Sequence, residues 1–151
     1  MRRVAESTGF TLLETLIALA LVAVLLAVAT PALIRPAGVE LRTAAHTVAT
    51  GLRQARLQAM RRQRPTALQV DLDSRMLWLE GEKKTRQLDR ELELELLTAR
   101  REMLDERRGG IRFYPDGSST GGSLTLNLEG LTTRVDVEWL TGRIRVREPA
   151  S

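Results

Sequence analysis

GFTLLETLIALALVAVLLAVATPALI, residues 9–34, carries three threonines and a single carboxylate, Glu14, in an otherwise apolar run. Residues 10–34 would make a helix of about 37 Å, against a hydrocarbon core of about 30 Å. Residues 16–34 hold eleven Leu, Ile or Val. At ~0.3 to 0.6 kcal/mol each, they favour insertion by about 3 to 6 kcal/mol. A mid-membrane carboxylate would cancel about 3 kcal/mol of that. Glu14 stands near one end, where the penalty falls and the side chain reaches the interface, so a membrane-inserted helix is expected. Arg2 and Arg3 ahead of the run favour a cytoplasmic N-terminus, and Arg35 and Arg42 behind it weaken the bias. A secretory signal peptide is the rival reading, with small residues for cleavage in AVATPA, residues 27–32. The polar leader that ends abruptly in Gly-Phe speaks against it.

Away from this run the composition is that of a packed domain. The chain has 151 residues, 43% hydrophobic and 28% charged, enough for one ordinary domain plus an appendage. The net charge is +4, and arginine supplies nearly all the basic side, the only lysines being Lys83 and Lys84. Such a surplus fits nucleic acid, a membrane surface or plain solvated faces, of which the last is the commonest. With no cysteine there is no disulfide, thiolate nucleophile or cysteine metal site, and the redox compartment stays open.

Pro31 and the RPAG stretch at 35–38 interrupt helix, so a kink or short break is expected there. After Gly38, Leu41, Ala45, Val48, Leu52, Ala55 and Ala59 recur at spacings of four and three, one face of an amphipathic helix that stops before Pro65. Arg61, Arg62 and Arg64 then lie near its C-terminal carbonyls. His46, the only histidine, is expected on the helix surface.

Beyond Pro65 the period becomes two. Leu68, Val70 and Leu72, then Leu77 and Leu79, flank a turn at residues 73–75. GEKKTRQLDR is expected as an exposed loop or irregular edge. ELELELL, residues 91–97, fits a strand by alternation and a helix by propensity; the strand reading is preferred. Ile111 and Phe113; Leu124, Leu126 and Leu128; Val135, Val137 and Trp139; and Ile144 and Val146 mark four more strands. They predict a sheet, antiparallel in its second half, with one face toward the helix. The glycine-rich stretch FYPDGSSTGGSLTL lacks the helix start or lysine of a phosphate cradle, and reads as a hairpin loop.

The GFTLLE stretch in front of the apolar run resembles the processing site of type IV pilins and type II secretion pseudopilins. The resemblance implies prepilin peptidase cleavage between Gly9 and Phe10, N-methylation of Phe10, and a filament-registry role for Glu14 against the N-terminal amine of a neighbouring subunit. Pro31 falls where many pilins carry a helix-kinking proline. The second half extends the match: LRQARLQAMRRQRPTALQVD, residues 52–71, and the segment 111–126 are similar to the H-type minor pseudopilins and the related FimT-like minor pilins. The fold implied is α+β and type IV pilin-like, a long hydrophobic helix continuing into an amphipathic helix packed on a mainly antiparallel β-sheet. The segments are a leader at 1–9, a transmembrane and filament-core helix at 10–34, a kink and amphipathic helix at 35–64, and a globular domain at 65–151.

An enzyme would need a nucleophile with a base, paired carboxylates in a cleft or a metal cluster. Glu91, Glu93 and Glu95 point outward along a strand, and Asp71 with Asp73 or Asp136 with Glu138 read as solvated same-face pairs. No catalysis and no cofactor or metal is expected, and the calcium loop of the major pseudopilins is not carried over. The resemblance implies a minor pseudopilin near the tip of a periplasmic filament, anchored in the inner membrane and aiding export of folded proteins. Its partners would be other major and minor pseudopilins and prepilin peptidase, with secreted cargo and the outer-membrane secretin as further candidates. The alternative is a FimT-like minor pilin that binds DNA for uptake through Arg143, Arg145 and Arg147, with Arg134 nearby. Glu138 and Glu148 dilute that row.

Overall fold

The computed structural model describes residues 11–29 and 36–147, in two compact units divided after Arg35. The first contains helix α1, Leu12–Ala29. Thr11 caps it: the Glu14 N–H donates to the Thr11 carbonyl at 3.0 Å and to its Oγ1 at 3.3 Å. Its described side chains, 11–26, are exposed all round the cylinder. Eighteen residues reach about 27 Å. No helix among the described residues is by itself long and apolar enough to cross a membrane. The expected 10–34 span extends at both ends into residues outside the described ones, as do the Pro31 kink and Arg35.

The second unit opens with α2, Ala37–Arg62. Pro36 sits at its N-cap with φ −59°, the value its ring imposes and a helix start accepts. The C-cap is Gln63 in the left-handed conformation, φ 50°, and the Arg64 N–H closes the end on the Ala59 carbonyl at 3.3 Å. Every residue of the expected stripe, from Leu41 to Ala59, is buried, joined by Ala44, Ala49 and Gly51. His46 is exposed. Alanine and glycine on this face let the backbone approach closely: a Cβ on Gly51 would meet Leu68 at 3.0 Å.

Eight strands follow among the described residues: β1 Thr66–Asp71, β2 Met76–Leu79, β3 Thr85–Gln87, β4 Glu93–Thr98, β5 Arg108–Phe113, β6 Gly122–Leu128, β7 Leu131–Val137 and β8 Ile144–Arg147. The ambiguous residues 91–97 are thus mostly strand, and the charged 81–90 piece contributes only the short edge strand β3. They form two four-stranded sheets rather than one, in the orders β3-β2-β1-β5 and β4-β6-β7-β8, every pairing antiparallel. Helix α2 packs on strands of both sheets. The core between them is built around Phe113, Leu41, Leu52, Leu77, Leu92, Leu124 and Leu126.

The connection at 114–121 is where the expected hairpin fails. Residues 112–120 do fold back locally: the Tyr114 N–H donates to the Ser118 carbonyl at 3.0 Å and the Thr120 N–H to the Arg112 carbonyl at 2.9 Å. The chain then leaves its partner, since β5 pairs with β1 whereas β6 pairs with β4 and β7. Gly121 (φ 71°) and Gly122 (φ 141°) make the change of sheet possible, and a Cβ on Gly122 would collide with the Leu97 carbonyl. The Asp71–Asp73 pair is also corrected. Asp71 ends β1 and its Oδ1 accepts the N–H groups of Asp73 and Ser74 at 3.0 and 2.9 Å, holding a turn. Asp73 lies in that turn and pairs with Arg107 at 2.9 Å.

Candidate assembly surfaces

Glu14 is the only charged residue of α1 and sits in its first turn, exposed. Its carboxylate meets no ion partner among the described residues. The helix around it presents Leu12, Leu13, Leu16 and Ile17, each more than half exposed. A carboxylate at the N-terminal end of a greasy cylinder favours a positive partner, both by charge and because desolvating it alone is costly. Gly9 and Phe10 lie outside the described residues.

The outer face of the second sheet is laid out by strand register. One row across it runs Leu97, Ser123, Asp136, Arg145; the next runs Glu95, Thr125, Arg134, Arg147; the third runs Glu93, Asn127, Thr132. The alternate rows, Leu96–Leu124–Val135–Val146 and Thr98–Gly122–Val137–Ile144, face the core. The outer face therefore grades from acidic on β4, through hydroxyls and an amide on β6, to basic on β8.

The three arginines expected on one face of the last strand are distributed differently. Arg145 and Arg147 lie in β8, while Arg143 sits in the turn before it, its carbonyl accepting the Glu138 N–H at 2.9 Å. Asp136 holds both Arg134 (Nε to Oδ1, 2.8 Å) and Arg147 (Nε to Oδ2, 2.6 Å). Two of the four arginines are thus engaged by one carboxylate. Glu148 is outside the described residues. Trp139 does not continue β7 inward: the strand ends at Val137 and Trp139 is 65% exposed. A residue two beyond the last paired position no longer obeys the strand period.

Two family models match the chain, one described as the prokaryotic N-terminal methylation motif, at residues 6–30, and one as type II transport protein GspH, at residues 44–141. The chain belongs to the GspH family, the H-type minor pseudopilins. It is 35% identical over 146 residues, 94% of its length and 86% of the relative's, to the type II secretion system protein H of Xanthomonas campestris pv. campestris. The minor pseudopilin EpsH of the Vibrio cholerae type II secretion system superposes with a TM-score of 0.60 at 15% identity, covering 76% of this chain and 100% of that one. The Pseudomonas aeruginosa type IV minor pilin FimU gives 0.56 at 16% identity, covering 74% and 93%. At these identities the two structures share the fold with this H-type pseudopilin. The α+β, type IV pilin-like architecture expected from the sequence is borne out.

Polar links tie this pseudopilin's helix and sheets in ways that spacing did not reveal. Arg56, on α2, donates from Nε to the Gly117 carbonyl (3.2 Å) and from Nη2 to the Thr141 carbonyl (3.0 Å), clamping two loops 24 residues apart. Arg112 on β5 donates from Nε to Glu102 at 3.0 Å and from Nη1 to Glu80 at 2.5 Å, joining a 3-10 turn, Arg100–Glu102, to the end of β2. The hydrogen bond to Glu80 and the two nearby carboxylate charges raise the Arg112 pKa, against the opposing effect of burial. Only residues far apart in sequence make these links, so no local motif announces them.

Proposed function

We propose that this H-type pseudopilin acts by assembly rather than catalysis, as a subunit near the tip of a type II secretion filament that aids export of folded proteins. The carrying observation is α1, an all-round apolar exposed helix whose one charge is the first-turn Glu14, in a chain whose residues 6–30 match the N-terminal methylation motif. Prepilin peptidase removes residues 1–9 on the cytoplasmic side, and the amine exposed on Phe10 is methylated. The apolar helix, together with its flanks, holds the chain in the inner membrane with the C-terminal domain in the periplasm. On assembly it packs among other pseudopilin helices, where Glu14 meets the N-terminal amine of a neighbour and sets stagger. The β-domain, on the outside, meets other minor subunits, cargo or the secretin. The DNA-uptake alternative loses ground because Asp136 already engages Arg134 and Arg147.

Intact-mass and N-terminal analysis of the full chain, co-produced with prepilin peptidase, tests the processing. The expected product begins at methylated Phe10, and Gly9→Val leaves the leader in place. Glu14→Val should be processed but drop at least about tenfold in sheared filaments, the loss of one desolvated charge pair. A product beginning elsewhere, or undiminished Glu14→Val incorporation, defeats the proposal.

A further inference from the structure

The two outer strands of the second sheet carry opposite charge at the same spacing. On one edge Glu91, Glu93 and Glu95 are exposed; on the other, Arg143, Arg145 and Arg147 are exposed. Within the strands Glu93 and Glu95, and Arg145 and Arg147, stand about 6.7 Å apart, with Arg143 just before β8 and Glu91 in the turn before β4. Among the described residues the three glutamates, Arg143 and Arg145 make no ion pair. Arg147 has only Asp136, shared with Arg134. Within a chain the two sets stand three strand spacings apart, about 14 Å, and cannot meet.

Strand direction decides which contact the edges permit. Because β4, β6, β7 and β8 alternate in direction, β4 runs opposite to β8. A second copy placed beside the first in the same orientation therefore brings its β4 antiparallel to the first copy's β8, and the sheet continues. One antiparallel register sets the two arginines without an ion partner among the described residues against the two glutamates of β4: Arg143, in line with β8 through the Glu138 N–H bond to its carbonyl, opposite Glu95, and Arg145 opposite Glu93. The other edge pairings, β4 with β4 and β8 with β8, oppose like charges and are disfavoured.

We propose that the outer sheet is a bipolar lateral contact by which two copies of this chain associate head to tail, the basic edge at β8 of one against the acidic edge at β4 of the next. Such an interface is heterologous and leaves one unused edge at each end, so it propagates in a line rather than closing into a two-fold dimer. It uses only the β-domain, goes beyond the processing and registry reading, and does not depend on it. Opposite charges at the edges set partner orientation and encounter rate more than affinity, so the association is weak and salt-sensitive.

The chain has no cysteine, so introduced ones report cleanly. Full-length Glu95→Cys and Arg143→Cys chains are mixed in non-ionic detergent micelles without peptidase or other subunits, then oxidised. The expected product is a disulfide dimer joining one chain of each kind, with about tenfold less of it when either chain is oxidised alone or when ~0.5 M salt is present. Glu93→Arg in the Glu95→Cys chain, or Arg145→Glu in the Arg143→Cys chain, should slow dimer formation about tenfold, and combining the two inversions should restore it. Equal dimer yield from each chain alone, no mixed dimer at low salt, or no rescue by the double inversion overturns the proposal. Glu14→Val in both chains leaves the mixed dimer unchanged if the contact belongs to the β-domain. Its loss there would assign the association to α1 and overturn the proposal, while filament incorporation is read separately.

Discussion

Replacing Arg112 by methionine isolates the energetics of the most buried ion pair among the described residues. Glu102 is 5% exposed, and Arg112 supplies its two close hydrogen bonds, at 3.0 and 3.2 Å. The remaining cation, Arg101, is 68% exposed and stands 3.8 Å away. Arg112→Met therefore strands a carboxylate that water hardly reaches, a loss of about 3 kcal/mol at neutral pH. Glu80, 46% exposed, returns to solvent, which adds only about 0.5 kcal/mol. For a domain of this size the sum corresponds to a fall of roughly 14 °C or more in Tm. The double variant Arg112→Met/Glu102→Met replaces both charges with apolar volume and should recover most of the loss, coming within about 1 kcal/mol of the parent. Urea unfolding of the four members of this cycle, followed by far-UV circular dichroism at constant detergent, measures the coupling. A single-variant cost below about 1 kcal/mol, or a double variant at least as unstable as Arg112→Met, would refute the reasoning.

Two further outcomes follow from the backbone and the turns. Gly122→Ala, at φ 141° with the Leu97 carbonyl in the way, should cost more than about 2 kcal/mol, whereas Gly81→Ala, at φ 81° with open space around it, should cost only about 1 kcal/mol; thermal melts of the pair read the difference. The pKa of Asp71 is lowered, chiefly by the Ser74 backbone hydrogen bond, and those of Asp105 and Asp116 by hydrogen bonds from Arg107 and Ser118. Because each folded value lies below the unfolded one, their stabilisation is complete above the ordinary aspartate value of about 3.9 and disappears as pH falls through the folded values. Stability measured from pH 5 downward should drop across that window, and Asp71→Asn should make the drop shallower; an unchanged slope would remove Asp71 from the account.

Much of this architecture was legible because it is local. The three-and-four spacing of Leu41, Ala45, Val48, Leu52, Ala55 and Ala59 reports one buried helical face whatever lies against it, and all six are buried. Alternation at Leu124, Leu126, Leu128, Val135 and Val137 likewise names the inward side of β6 and β7. The N-terminal motif was legible too, since the stretch that matches the methylation motif, residues 6–30, is a property of consecutive residues. Trp139 was misplaced for the complementary reason: the period was extended past the point where pairing stops.

The sequence by itself determined the elements and their buried faces, because helical and strand periods are set by the backbone over a few residues. Only the tertiary structure decided that the strands divide into two sheets. It also put Arg112 between Glu80 and Glu102, and Asp136 between two arginines, with opposite charges left on the two edges of one sheet. A strand's alternation says which side faces the core and nothing about which strand lies beside it. That choice is made by long-range packing on α2 and by the turn in direction at Gly121 and Gly122.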